Sequence, residues 1–185
     1  MLDTFRRVSP LADVAVQGRF GADKGAPGVV LSVHHPLSIV SVIARGGQAK
    51  ALGEALKALR GVTVQWAGPD QYVALAADKA EGALYRDLIQ KLAGLASVSD
   101  QSHGRVVIRI AGPKARAVLA KGTPVDLHAS VFPLGKSALT QMAHIGVHLS
   151  RTGPDTFDLS VFRGFSESFW KWLTTQAEEF GFQVT

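Results

Sequence analysis

Two kinds of hydrophobic pattern alternate along the chain. One consists of short runs of β-branched residues, and the other of stretches in which leucine returns every third or fourth position. Val29 to Val33 and Leu37 to Ala44 predict strands on either side of a His34-His35-Pro36 break. Leu52, Ala55, Leu56 and Leu59 then recur at helical spacing behind Gly46-Gly47, and Gly61 stands where a left-handed helix cap would fall. Val62 to Trp66 and Tyr72 to Ala76, joined by Gly68-Pro69-Asp70, read as a hairpin. Asp78 and Glu81 have the spacing of a capping box, and Leu84, Leu88, Leu92 and Leu95 give the next helix a buried face before a short strand at Ser97 to Ser99. The predicted order is strand, helix, strand, strand, helix, strand.

The second half repeats this grammar. Arg105 to Ala111 predicts a strand, and Val118 and Leu119 face inward on a helix that Gly122 stops. Strands follow at Ser137 to Met142, Ile145 to Ser150 and Phe157 to Phe162, and a closing helix carries Phe165, Phe169, Trp172, Leu173, Ala177 and Phe180. Gly61 to Tyr72 aligns without gaps on Gly146 to Phe157 at a constant offset of 85, with Gly, Val and the Gly-Pro-Asp turn identical. Two copies of a split βαβ unit explain this. The fold class predicted is α+β, with two similar ferredoxin-like halves at residues 29–101 and 102–185 forming one compact unit. Residues 1–28, rich in turn formers, are predicted to be an extended arm that packs back on its own domain or lies on a partner.

Composition narrows the chemistry. The 185 residues include no Cys, which removes disulfides, thiolate metal sites and cysteine nucleophiles. Lys and Arg number 20 against 15 Asp and Glu, a net charge of +5, yet the basic residues are scattered and not interleaved with aromatics, so no nucleic-acid partner is predicted. No apolar run reaches the ~18 residues of a membrane span, and the first residues carry no apolar signal block, so a cytoplasmic protein without membrane contact is expected.

Candidate sites each have a structural reading beside the chemical one. His144 and His148 share the parity of one strand face but lack an acidic neighbour to complete a metal set, and His34-His35 sit in a turn. Asp100, Ser102 and His103 hold the residue types of a triad, but too close in sequence to point at one another. Gly46-Gly47 lacks phosphate-loop spacing and offers at most backbone N–H groups to an anion, while Asp70, Asp155, Glu81 and Glu167 have turn or cap roles. No catalytic, cofactor-binding or metal site is predicted. A partner interface is predicted instead at the apolar anchors of the arm, Phe5, Leu11, Val14, Val16 and Phe20, together with Trp66 and Trp170.

The segment Val98 to Leu119 resembles the folate-binding aminomethyltransferase superfamily and, within it, the gamma-subunit family of heterotetrameric sarcosine oxidases. Trp66 to Tyr72, Lys121 to His128, Phe132 to Gly135, Thr140-Gln141, Ala143 to Ile145 and Arg151 to Phe157 extend the likeness over about residues 37 to 175. The resemblance implies an aminomethyltransferase-like fold and a small subunit beside alpha, beta and delta chains. That complex would demethylate sarcosine oxidatively to glycine, passing the one-carbon unit to tetrahydrofolate. It also implies that FAD, FMN, NAD and zinc belong to the other subunits. Where aminomethyltransferase relatives carry an acidic pair, Gln141-Met142-Ala143-His144 has no carboxylate, so transferase activity is not expected. The alternative is a stand-alone folate-binding protein or regulator of one-carbon metabolism.

Overall fold

Residues 38–100 fold as predicted, into β3 (Ser38–Ala44), α1 (Ala49–Ala58), β4 (Thr63–Gly68), β5 (Gln71–Ala76), α2 (Ala83–Lys91) and β6 (Ala96–Asp100). Their strands lie in the order β4-β5-β3-β6, each antiparallel to its neighbour, which is the ferredoxin-like arrangement. The computed structural model describes residues 7–22, 25–77 and 79–185. Leucine spacing does what it promises: α1 buries Leu52 and Leu56, α2 buries Leu84 and Leu88, and both pack on Val40, Val42, Ala74 and Ala76.

The other strands form one seven-stranded sheet. They are β1 (Gly18–Phe20), β2 (Val29–His34), β7 (Arg105–Ala111), β8 (Ser137–Met142), β9 (Ile145–Gly153), β10 (Thr156–Phe162) and β11 (Phe182–Val184), in the order β1-β11-β2-β7-β10-β9-β8. The strands β11, β7, β10 and β9, with α3 (Ala115–Ala120) and α4 (Ser166–Ala177) in their connections, repeat the ferredoxin-like order, and β2 is inserted between β11 and β7. It runs parallel to β11 and antiparallel to β7.

The expectation that residues 29–101 form one half is therefore corrected at its first strand. Val29 and Leu31 of β2 are fully buried in the core shared with α3 and α4, and only after His35-Pro36 does the chain cross to the smaller sheet. The arm likewise folds back over its described residues: Leu11 lies in that same core and β1 pairs with β11. Two caps also differ from expectation. α1 ends at Ala58 on an extended Leu59, so Gly61, at φ 67°, turns the chain into β4 rather than capping the helix. α2 begins at Ala83 behind a left-handed Gly82, and the proposed capping partner Asp78 lies outside the described residues.

The internal repeat appears in the backbone. Trp66 faces Tyr72 and Gly68 faces Gln71 across a bulge in the first hairpin; Arg151 faces Phe157 and Gly153 faces Thr156 across the matching bulge in the second. The two sheets pack back to back, Ile39, Val73 and Leu75 against Val107, with helices on the outer faces, giving four layers. Among the described residues no helix is long and apolar enough to cross a membrane.

Leu159 is fully buried on β10, between β7 and β9. Leu159→Ala is expected to cost about 2–5 kcal/mol through lost burial and a residual cavity. A Cβ at Gly122 would fall 2.4 Å from the Trp172 ring, so Gly122→Ala is expected to cost about 1–3 kcal/mol by overpacking. Urea denaturation of the two variants checks both; an unchanged midpoint would contradict this packing.

Candidate functional site

Strand alternation gives the larger sheet two unlike faces. Val147 and Leu149 of β9, and Leu159 and Val161 of β10, join the core under the helices, which turns His148, Ser150, Asp158 and Ser160 toward the smaller sheet. Register places Asp158 directly opposite Arg109 on β7. Arg109 Nε donates to Asp158 Oδ1 at 2.7 Å and Nη2 to Oδ2 at 3.0 Å, a bidentate pair that raises the guanidinium's hold on its proton.

This pair lies in a cleft of about 480 Å³ between the sheets, lined also by His34, Gln65, Ser150 and Arg151. Burial, reinforced by Arg109 and opposed by Asp158, lowers the pKa of His34. Arg151 is committed elsewhere, its guanidinium donating to the carbonyls of Phe132, Gly153 and Pro154. Asp158 is the sole carboxylate among the described residues lining the cleft, and Arg109 occupies both its oxygens. Such an arrangement offers donors and an imidazole to a bound molecule but no uncommitted carboxylate for proton transfer.

His148 ties the two sheets directly: its Nε2–H donates to the Trp66 carbonyl oxygen at 2.8 Å. Burial dominates and lowers its pKa, so the neutral ring is the form the interior holds. His144, expected on the same strand face, instead occupies the turn before β9 at φ 64°, because Ala143 and His144 together reverse the chain. The two do not form a pair. Asp100, Ser102 and His103 divide as well. Ser102 Oγ donates to Asp100 Oδ1 at 2.6 Å and accepts from the Ile39 N–H, whereas His103 Nε2–H donates to Glu81 Oε1 at 2.5 Å. Among the described residues no three His, Asp or Glu side chains gather as a metal set.

The predicted interface residues separate by burial. Val14, Val16 and Phe20 are exposed, Val16 by 60%, and with the edge of Trp170, Phe182 and Val184 they line the apolar part of a groove of about 380 Å³ that Thr174 and Glu178 also line. Trp66 is 46% exposed but lies on β4, apart from that groove. Leu11 is 0% exposed, a core residue and not a contact surface, because the chain folds back over it. Trp170 is mostly buried under the groove, and Phe5 lies outside the described residues. Sequence reasoning missed the Arg109–Asp158 pair. Its signal was a charge of each sign inside otherwise apolar strands, at the parity opposite to the core residues.

Residues 27–179 match the model of the "Sarcosine oxidase, gamma subunit family". A sarcosine oxidase subunit gamma from Arthrobacter sp. is 34% identical over 135 residues, covering 72% of this chain and 66% of that protein. The corresponding subunit from Corynebacterium sp. (strain U-96) is 35% identical over 136 residues, covering 72% and 65%. The matched stretch thus spans about two thirds of these relatives' length. Among solved structures, heterotetrameric sarcosine oxidase from Corynebacterium sp. U-96 in complex with pyrrole 2-carboxylate contains a chain that matches with TM-score 0.78 at 28% identity, over 94% of this chain and 96% of that one. The glycine cleavage system aminomethyltransferase T from Bartonella henselae shares the fold at TM-score 0.67 and 14% identity, over 95% of this chain and 58% of that one.

The neutral His148 carries a pH signature. Its folded pKa lies below the ordinary value of 6.5, so the unfolded chain takes up the proton first as pH falls, and stability present above about 6.5 is lost below it. His34 and His35 are lowered too and act with the same sign. Urea midpoints are expected to drop between pH 7.5 and 5.5, and less steeply in His148→Gln; equal slopes in both proteins would rule out this assignment.

Proposed function

Because the chain belongs to the sarcosine oxidase gamma subunit family, we propose that it is a structural and assembly subunit, without a catalytic site, of a heterotetrameric sarcosine oxidase. In this reading it holds alpha, beta and delta partner chains in the cytoplasm. The complex oxidatively demethylates sarcosine to glycine and passes the one-carbon unit to tetrahydrofolate. FAD, FMN, NAD and zinc reside on the other subunits. The observation that carries the reading is the likeness to a chain of a heterotetrameric sarcosine oxidase across nearly the full length of both.

The cleft chemistry supports a non-catalytic role. Its one described carboxylate is held by Arg109, and the stretch Gln141 to His144, at the end of β8 and in the turn after it, carries no acid that could orient an amine. The exposed groove of Val14, Val16 and Phe20 supplies an apolar patch suited to docking, with the exposed Trp66 as a further contact.

A tagged chain captured from its native cytosol is expected to bring down flavin-bearing chains in fixed proportion; colourless, partner-free protein would overturn the proposal. The double variant Val16→Asp, Phe20→Asp is expected to weaken that assembly more than tenfold while leaving the circular dichroism spectrum unchanged. The 480 Å³ cleft favours a second reading, a stand-alone folate-binding protein. Calorimetric titration with tetrahydrofolate separates the two, since saturable heat from the isolated chain supports the folate reading and its absence removes it.

A further inference from the structure

A second cavity closes on the other side of His34, where residues 7–10 cross the β2–β3 and β6–β7 connections. Arg7, His35, Ser102, His103, Arg105 and Arg163 line it over an apolar floor that includes Leu37, Ile39 and Val106. It is small, about 20 Å³, enough for one sphere of water size or slightly larger. A tetrahedral oxyanion, with five heavy atoms, does not fit without moving its walls.

The charges around it do not balance. Arg7, Arg105 and Arg163 all line it, and the carboxylates nearby among the described residues are Glu81 and Asp100. Asp100 Oδ1 accepts from both the N–H and the hydroxyl of Ser102. Glu81 is exposed and sits 2.5 Å from His103 Nε2, with Arg7 Nε farther off at 3.6 Å. Arg105 lies over the Phe162 ring at 4.2 Å from its centre. Among the described residues neither Arg105 nor Arg163 forms an ion pair.

The decisive detail is at Arg7. Its Nε and Nη2 are both buried and have no hydrogen-bond acceptor among the described residues. Buried donors of a charged group are strongly disfavoured unless an acceptor meets them. The charged groups that act on His35 are of one sign as well: Arg7, Arg163 and His103 all, after burial, hold a proton off it. Two unpartnered donors of a cation and room for a single water-sized sphere admit a water molecule or a monatomic anion, and the excess of arginine over carboxylate among the described residues favours the anion.

We propose that this pocket binds one small inorganic anion of halide size, with chloride the physiological occupant. Arg7 Nε–H and Nη2–H are the donors it would satisfy, and Arg105 and Arg163 supply the remaining field. Bound there, the anion pins residues 7–10 to the two connections and so anchors the start of the segment that continues through Leu11 into the core.

The test uses the full chain at constant ionic strength, with sodium gluconate replacing sodium chloride. Chloride-35 line broadening is expected to saturate with chloride, to be displaced by bromide, and to fall at least fivefold in Arg7→Gln. Arg163 is exposed, so Arg163→Gln keeps the experiment decisive if the Arg7 variant does not fold, and it is expected to show the same loss. Crystals grown in bromide are expected to give an anomalous peak within the pocket of the unaltered protein. No excess broadening, broadening that survives both substitutions (an adventitious ion only), or displacement by sulfate as effective as by bromide would each overturn the proposal.

Discussion

Strands β7, β9 and β10 are covered on both faces, and this constraint orders the rest of the molecule. One face is apolar and lies under α3 and α4; the other carries Arg109, His148, Ser150 and Asp158 and meets the smaller sheet. Polar groups removed from water need partners, and these four find one close by, while the buried Ser160 hydroxyl on the same face has none among the described residues. Arg109 takes Asp158, Ser150 pairs with Ser137 at 2.8 Å, and His148 reaches across to the Trp66 carbonyl. Apolar contact between the sheets rests on Ile39, Val73, Leu75 and Val107, and the cleft opens toward the Arg109–Asp158 pair, on the polar part of the larger sheet's face. The site is thus a product of packing two sheets of unequal polarity.

Much of the architecture was legible in the residues, for identifiable reasons. Leu52 with Leu56, and Leu84 with Leu88, announced helices because each helix has one apolar partner face. The Gly-Pro-Asp repeat announced two equivalent hairpins, down to the shared bulge. Long-range pairing was not legible. Nothing local to Val29–His34 says that it joins β7 and β11 rather than β3, since β-branched alternation specifies a strand and not its neighbours. The strands β1 and β11 have three residues each, too few for any period to show. Burial was misjudged at Leu11 for the same reason: an isolated leucine in a turn-rich segment gives no clue to the core waiting for it.

The candidate site was legible only in part. The divided geometry of Asp100, Ser102 and His103 matches their close spacing in the chain, because a triad needs side chains that converge from separate segments. The charged pair in the cleft depends on register. Arg109 and Asp158 stand 49 residues apart and meet only because β10 returns beside β7. A sheet that can also serve an aminomethyltransferase fold here carries, at the centre of its inner face, a carboxylate neutralised by its own neighbour. The shared fold does not by itself carry the chemistry, because function resides in a site and not in a topology.

The two copies of the repeat also differ in what was added to them. The first keeps the bare four-stranded order, whereas the second gains β1 and β2 from the chain's start and β8 within its own connection. The order β1-β11-β2 places the C-terminal strand between two N-terminal ones. The apolar groove therefore takes Val14, Val16 and Phe20 from one end of the chain, and Trp170, Phe182 and Val184 from the other. Phe20 stacks on Phe182 with ring centres 5.2 Å apart, across the pairing of β1 with β11. Neither end presents that surface alone, so it is complete only once β1 has paired with β11 beside α4. If the groove is the docking surface proposed above, recognition is coupled to folding, because a partially folded chain lacks the patch a partner would grip.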